Sequence, residues 1–313
     1  MKNLILILST IVLLFTACRS GKNNQEADKG NNRFIIGFSQ CNSAEPWREA
    51  MNQAMQDEAS LFPNIELIIL DAQQDNSKQV SDIENLIVRE VDVLMVSPNE
   101  AQPITAVVEK AFKRGIPVII IDRKIISESY TCFIGADNLI IGEAAGLFAA
   151  KLLNGKGTVV EIWGLKGSTP AIERHEGFIT GISEYPGIDI VFEQDGAWLR
   201  RKGVEIMENA LQRFENIDLV YGHNDPMAIG AFLAAENAGR KEEMFFLGID
   251  GLPGPEGGAQ AVINKQLDAT FLYPTGGKMA ISTAMKIING ETVEKNITLE
   301  TITIDSTNAK NYR

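Results

Sequence analysis

The strongest constraint in this chain is a set of short aliphatic runs that do not alternate with polar residues. Phe34 to Phe38, Ile65 to Leu70, Val91 to Val96 and Ile116 to Ile121 are nearly continuous in Ile, Val, Leu and Phe. A strand with one wet face alternates apolar and polar side chains, whereas a strand apolar along its length is covered on both faces, as in a parallel sheet between helix layers. The intervening segments carry the helical period this requires. Trp47, Ala50, Met51, Ala54, Met55, Ala59 and Phe62 recur at three- and four-residue steps. Val107, Val108, Ala111 and Phe112 repeat the pattern before Gly115-Ile116-Pro117 stops a helix and opens a strand.

A second series follows the first. Strands are expected at Thr158 to Ile162, Ile188 to Phe192, Leu219 to Tyr221 and Met244 to Ile249, and helices at Leu139 to Leu153, Thr169 to Glu184, Leu199 to Arg213 and Pro226 to Asn237. Each series is large enough for its own sheet. The expectation is an α/β chain of two doubly wound parallel-sheet lobes with a cleft between them.

The first eighteen residues stand outside that pattern. Lys2 precedes an aliphatic run from Leu4 to Phe15, about a dozen residues where roughly 20 are needed to span a bilayer. The run ends Leu14-Phe15-Thr16-Ala17-Cys18, which resembles the lipobox of bacterial lipoproteins, with Phe15 a departure where a small aliphatic residue is usual. The resemblance implies acylation at Cys18 and a membrane anchor. Residues 19 to 32 are polar and without period, and read as a flexible tether. A net charge of −12 argues against nucleic acid, whose phosphates need a basic face. Beyond Cys18 only Cys41 and Cys132 remain, each placed at the end of an apolar strand, where a small buried thiol is commonplace. The two histidines, His175 and His223, with so little thiol nearby, make no convincing metal site, and no cofactor is expected.

In open parallel sheets ligands bind beyond the carboxyl ends of the strands. There this chain places Ser39-Gln40-Cys41-Asn42 with Trp47-Arg48, Asp122-Arg123, Trp198 after Asp195-Gly196-Ala197, His223-Asn224-Asp225 and Asp250-Gly251, with Arg174 early in a helix. Asp, Asn and Arg match the paired donors and acceptors of neighbouring hydroxyls, and flat aromatics match the apolar C–H face of a sugar ring. Two of only three tryptophans, Trp47 and Trp198, fall at such positions.

On these residues the chain from about Arg33 to Ile304 resembles the type I periplasmic sugar-binding proteins, and most closely their galactofuranose-type branch. The stretches that carry the resemblance are Gly37-Phe38-Ser39-Gln40 with Trp47-Arg48, Pro117 to Arg123, Gly135-Ala136-Asp137-Asn138, Arg174 to Phe178, His223 to Ala231 and Gly248-Ile249-Asp250-Gly251. It also resembles periplasmic sensor domains of hybrid two-component proteins. The resemblance implies that Asp122 and Arg123 contact hydroxyls from the first lobe beside Ser39 and Arg48, and that Trp47 stacks on the ring. Arg174, Asn224 and Asp250 then complete the polar shell from the second lobe, with Trp198 as the facing aromatic. Where ribose binders carry a glutamine, this chain has Tyr273 before Pro274-Thr275, which departs from the ribose pattern and leaves pocket size open. The implied lobes are residues 33–136 with 274–300, and 137–273 with 301–313, joined by three crossings that form a hinge.

The implied function is capture of a monosaccharide outside the cytoplasm by hinge closure, by a monomer that serves a transporter's permease or a sensor kinase. With no membrane segment or kinase in the chain as written, a free-standing lipoprotein is expected. Plainer roles exist for several of these residues: an exposed ion pair for Asp122-Arg123, core packing for Trp47, pairing with Glu173 or Glu176 for Arg174, a turn residue for Asp250. Asp225 is the expected helix cap, which leaves Asn224 for ligand. His223 reads as a packed strand-end residue, Trp163 as lobe packing near the cleft rim, and the Gly251 to Gly258 segment as a loop whose prolines lack the donors of a phosphate cradle. An enzyme is not expected: a glycosidase needs two opposed carboxylates at a suitable gap, and no Gly-x-Ser-x-Gly elbow is present. A related sugar-responsive repressor would carry a basic helix-turn-helix where the export signal stands.

Overall fold

The structure is a computed structural model, described over residues 33–313; the expected export signal, Cys18 and the expected tether lie outside the described residues. Two six-stranded sheets form the frame. The first is built from β1 (Phe34–Gln40), β2 (Ile65–Asp71), β3 (Val93–Val96), β4 (Val118–Ile121), β5 (Cys132–Ala136) and β11 (Asn296–Leu299), in the order β11-β5-β4-β3-β1-β2. The second contains β6 (Lys156–Trp163), β7 (Gly187–Asp195), β8 (Leu219–Gly222), β9 (Phe245–Asp250), β10 (Ala269–Leu272) and β12 (Thr303–Asp305), in the order β12-β10-β9-β8-β6-β7. Pairing is parallel throughout except between β10 and β12, which run antiparallel. The buried central strands are the unalternating runs: β3 and β4 are buried at every position.

Helices cover the sheets. α1 (Pro46–Ala59), α2 (Asn76–Val88) and α3 (Ala101–Lys113) follow β1, β2 and β3. α4 (Asn138–Leu152), α5 (Thr169–Ile182), α6 (Arg200–Arg213), α7 (Asp225–Asn237) and α8 (Gly258–Ile263) serve the second sheet, and α9 (Gly277–Ile288) returns to pack on α1. Three connections link the sheets: Asp137 between β5 and α4, residues 273–276 between β10 and α9, and residues 300–302 between β11 and β12. One core cluster includes residues of both sheets together with Ala136 and Tyr273 at two of these connections.

Several boundaries differ from the sequence reading. The strands expected from Val91 and Ile116 begin two residues later, because Asp92 and Pro117 sit at their entries. Cys132 opens β5 instead of ending a strand. Cys41 and Cys132 are both free and buried. Among the described residues no helix is long and apolar enough to cross a membrane.

The closest helix pair positions the site. α4 and α5 approach through glycine: a Cβ on Gly142 would lie 2.3 Å from the Arg174 carbonyl oxygen, and one on Gly177 2.2 Å from that of Leu139. Backbone, which cannot swing aside, occupies that space, so Gly142→Val is expected to destabilise by about 3 kcal/mol or more through overpacking. Denaturant unfolding measures it, and an unchanged midpoint contradicts the tight contact.

Candidate functional site

The carboxyl ends of the strands in both sheets face one small cavity with about 20 Å³ of free space, room for about one water molecule. Its wall comprises Glu45, Trp47, Arg48, Asp122, Arg123, Pro170, Arg174, Trp198, Asn224, Asp250 and Tyr273. Each comes from a strand end or the helix that follows it. Glu45 precedes Pro46, whose fixed φ starts α1; Asp122 and Arg123 leave β4, and Asp250 ends β9. All of the sequence-predicted binding residues except Ser39 stand in this wall.

Ser39 is the correction. β1 continues past it to Gln40, and Ser39 is fully buried within the strand, its carbonyl accepting from Ser97 N at 3.0 Å. Its hydroxyl has no hydrogen-bond partner among the described residues. Glu45 and Pro170 take places that the sequence reading missed. A carboxylate just before a helix-starting proline was the available signal for Glu45, and Thr169-Pro170 at the start of α5 that for Pro170. A second correction concerns the cap of α7. Asn224 is the N-cap, its Oδ1 accepting from Met227 N at 3.0 Å while its Nδ2 donates to the Trp198 carbonyl at 3.1 Å. Asp225 lies inside the helix and ties it to the neighbouring strands, accepting from Thr270 Oγ1 at 2.6 Å and Gly251 N at 2.8 Å. Trp163 is not in the cavity wall; it stacks on His175 and His223 behind it.

The electrostatics are those of a closed, charged chamber. Arg48 Nη2 donates to Asp122 Oδ2 at 2.6 Å, with both side chains 5% exposed. Arg48 Nη1 donates to Ser97 Oγ at 2.9 Å, Arg123 Nη1 to the Asn99 carbonyl at 2.8 Å, and Arg174 Nε to Asn138 Oδ1 at 2.9 Å. Burial pushes the Asp122 carboxyl up, but Arg48 and Arg123 outweigh it and hold it below the usual range. At Asp250 burial and the nearby Asp225 push the carboxyl well above that range, and burial lifts Asp225 to about 6. Glu45 is raised by burial against the pull of Arg48. Among the described residues no side chain or backbone group hydrogen bonds to the Asp250 carboxylate.

Backbone strain marks the same residues. Asp122 (φ 65°), Trp198 (φ 69°) and Asp250 (φ 137°) all adopt positive φ, which is costly for side chains other than glycine and clusters where geometry serves a ligand. Buried donors with no partner among the described residues include Arg48 Nε, Arg123 Nε and Trp198 Nε1. Unmatched buried donors are expensive, and these three belong to residues of the cavity wall. The flat surfaces are Trp47, which donates to the Tyr273 carbonyl at 2.7 Å, Tyr273, at 5.4 Å from Trp47, and Trp198, with Arg123 and Arg174 each 5.4 Å from its ring.

Contacts across the cleft shut the chamber. Lys124 Nζ lies 2.6 Å from Glu173 Oε1 and Lys124 N 2.9 Å from Thr169 Oγ1; Gln74 Nε2 reaches the Ala197 carbonyl at 3.2 Å.

Comparison with known proteins agrees with this geometry. A family model described as periplasmic binding protein domain matches residues 36–292. The chain is 32% identical to the ribose import binding protein of Bacillus subtilis over 93% of its own length and 94% of that protein's. It is 35% identical to the galactofuranose-binding protein of Escherichia coli over 70% and 72%. Among solved structures, the fructose-binding periplasmic domain of a hybrid two-component system superimposes with a TM-score of 0.87 at 45% identity, covering 89% of this chain and 93% of that one.

The low carboxyl pKa of Asp122 implies stability that is present above an ordinary aspartate's value of about 3.9 and is lost as pH falls through the lower folded-state value. Arg48→Met removes the partner of a buried carboxylate and is expected to cost about 3–5 kcal/mol at pH 7, with the acid-side slope of stability flattened. Urea unfolding from pH 3 to 7 checks both, and a slope identical to wild type contradicts the assignment.

Proposed function

The chain belongs to the periplasmic binding protein domain family, and from that premise we propose that it binds one monosaccharide between its lobes and hands it to a membrane transporter. The observation that carries the reading is the cavity itself. Three arginines, three carboxylic acids, an asparagine and three flat rings, drawn from both sheets, surround one cavity. Few ligands other than a compact polyol offer enough paired hydroxyls and an apolar face to match that wall. Closure follows from the division of contacts. Trp47, Arg48, Asp122 and Arg123 stand at the carboxyl edge of the first sheet, and Arg174, Trp198, Asn224 and Asp250 at that of the second, so a sugar touching both sets lowers the closed state relative to the open one. The three connections at Asp137, 273–276 and 300–302 serve as the hinge. The lobes are taken as 33–136 with 274–300 and 137–273 with 301–313.

The family places the protein outside the cytoplasm, and we read Cys18 as its acylated membrane anchor. The protein acts by binding, without catalysis: Asp122 is locked to Arg48 and Arg123, which suits a fixed acceptor and not a proton donor. A second reading, sugar sensing for a two-component system, is favoured by the 45% identity to a fructose-binding sensor domain. The sugar classes named for the relatives, ribose, galactofuranose and fructose, share a furanose form or can adopt one.

Micromolar to nanomolar capture corresponds to about 8–12 kcal/mol. Asp250→Ala removes a carboxyl with no hydrogen bond from the protein's described residues, so its loss reads the ligand contact; about 2 kcal/mol, or some thirtyfold in Kd, is expected. Trp47→Ala is expected to weaken binding at least as much. Calorimetry against D-fructose, D-ribose and D-galactose measures both, and normal affinity in both variants contradicts the assigned cleft.

A further inference from the structure

Both histidines of the chain end on one carboxylate. Glu161 stands within β6, fully buried, and among the described residues no lysine or arginine pairs with it. His175 Nδ1 lies 2.9 and 3.0 Å from its two oxygens, and His223 Nε2 lies 2.8 Å from Oε1. Each histidine is the chain neighbour of a cavity residue: His175 follows Arg174, and His223 precedes Asn224. The His223 carbonyl also accepts from Arg174 Nη1. Trp163, two residues along β6, packs on both imidazoles with centroids 4.2 and 5.3 Å away and donates to Glu193 at 3.2 Å.

A carboxylate buried without a fixed cation is expensive, and Glu161 is fully buried in a strand whose adjacent residues, Val160 and Ile162, pack in a core cluster on the other face. Packing alone gives no reason for Glu161. Its two imidazole partners do: one is on α5 and the other at the end of β8, the two elements that deliver Arg174 and Asn224 to the cavity. We propose that Glu161 is a positioning residue for the sugar site, holding His175 and His223 so that Arg174 and Asn224 face the cavity already oriented. This rests on the sugar-binding reading above and names the device that pre-sets its second lobe, where orientation fixed beforehand lowers the cost of binding.

The network also has a titration sign. His175 faces Glu161 on β6, Glu193 on β7 and Lys166 in the loop between β6 and α5; the Glu161 hydrogen bond raises its pKa against burial and Lys166. His223 faces Glu161, Arg174 and His175, and burial lowers its pKa despite Glu161. Burial pushes Glu161 up, but the two imidazoles outweigh it and keep it ionised. His175 is therefore the member that gains charge near neutrality. Its pair with Glu161 is complete below an ordinary histidine's value of about 6.5 and is lost as pH rises through the higher folded value.

The test is calorimetry with D-fructose, D-ribose, D-galactose and myo-inositol on the wild type, Glu161→Gln, Arg174→Ala and the double variant. Glu161→Gln is expected to weaken binding about tenfold, and that loss is expected to shrink in the Arg174→Ala background, where only Asn224 is left to position, because coupled residues are non-additive. Wild-type affinity is expected to fall as pH rises above an ordinary histidine's value of about 6.5, and His175→Gln to flatten the profile. Unchanged affinity in Glu161→Gln overturns the proposal, and so does a loss that is the same with and without Arg174. Should none of the sugars bind the wild type, the binding reading fails separately. Glu161 is then judged by NMR of the Arg174 Nε–H: exchange about tenfold faster in Glu161→Gln supports the positioning role, and equal exchange overturns it.

Discussion

The ion pair between Arg48 and Asp122 is the interaction on which the site depends. It joins the first turn of α1 to the end of β4 at 2.6 Å with both side chains 5% exposed. Two charges withdrawn this far from water are stable only if geometry and further hydrogen bonds are right. Arg48 also reaches Ser97 and Gln40, and Asp122 sits beside Arg123. The pair thus ties the ends of β1, β3 and β4 into one rim and fixes two polar groups at the cavity. Its strained partner, the positive φ at Asp122, is tolerated because this rim holds it.

The second lobe solves the same problem with different chemistry. Arg174 has no carboxylate partner among the described residues; Asn138 and the His223 carbonyl hold it, and Trp198 and Tyr273 flank it. Asp250 remains without a hydrogen bond from those residues and with a raised carboxyl pKa. The first lobe therefore presents a neutralised pair, and the second an arginine and an acid with hydrogen-bonding capacity to spare. A polyol with both donors and acceptors suits that division, and the relatives that bind ribose, galactofuranose and fructose agree with it.

The fold was legible because buried parallel strands leave a plain mark: β3 and β4 are Val, Leu, Met and Ile from end to end. β11 and β12 left none. They are edge strands of four and three residues, only partly buried, and their place is set by the return of the chain across the hinge. The site was legible in outline where polar residues stand at strand ends, as Asp122-Arg123 and Asp250 do, and all three line the cavity. Ser39 failed because its strand runs one residue further, which turns a residue near the end into core. Asn224 and Asp225 exchanged roles because capping depends on which oxygen reaches Met227 N, and the two side chains differ too little for sequence to decide. The convergence of His175 and His223 on Glu161 was beyond sequence, since α5 and β8 meet β6 only in the folded chain.

The central claim is that one sugar draws two jaws together around these rings and charges. Small-angle X-ray scattering of the protein with and without the sugar that binds it most tightly tests this directly. The radius of gyration is expected to shrink with sugar in the wild type, and in Asp250→Ala to shrink only at about thirtyfold higher sugar concentration. A radius that stays constant while calorimetry records saturated binding would contradict it.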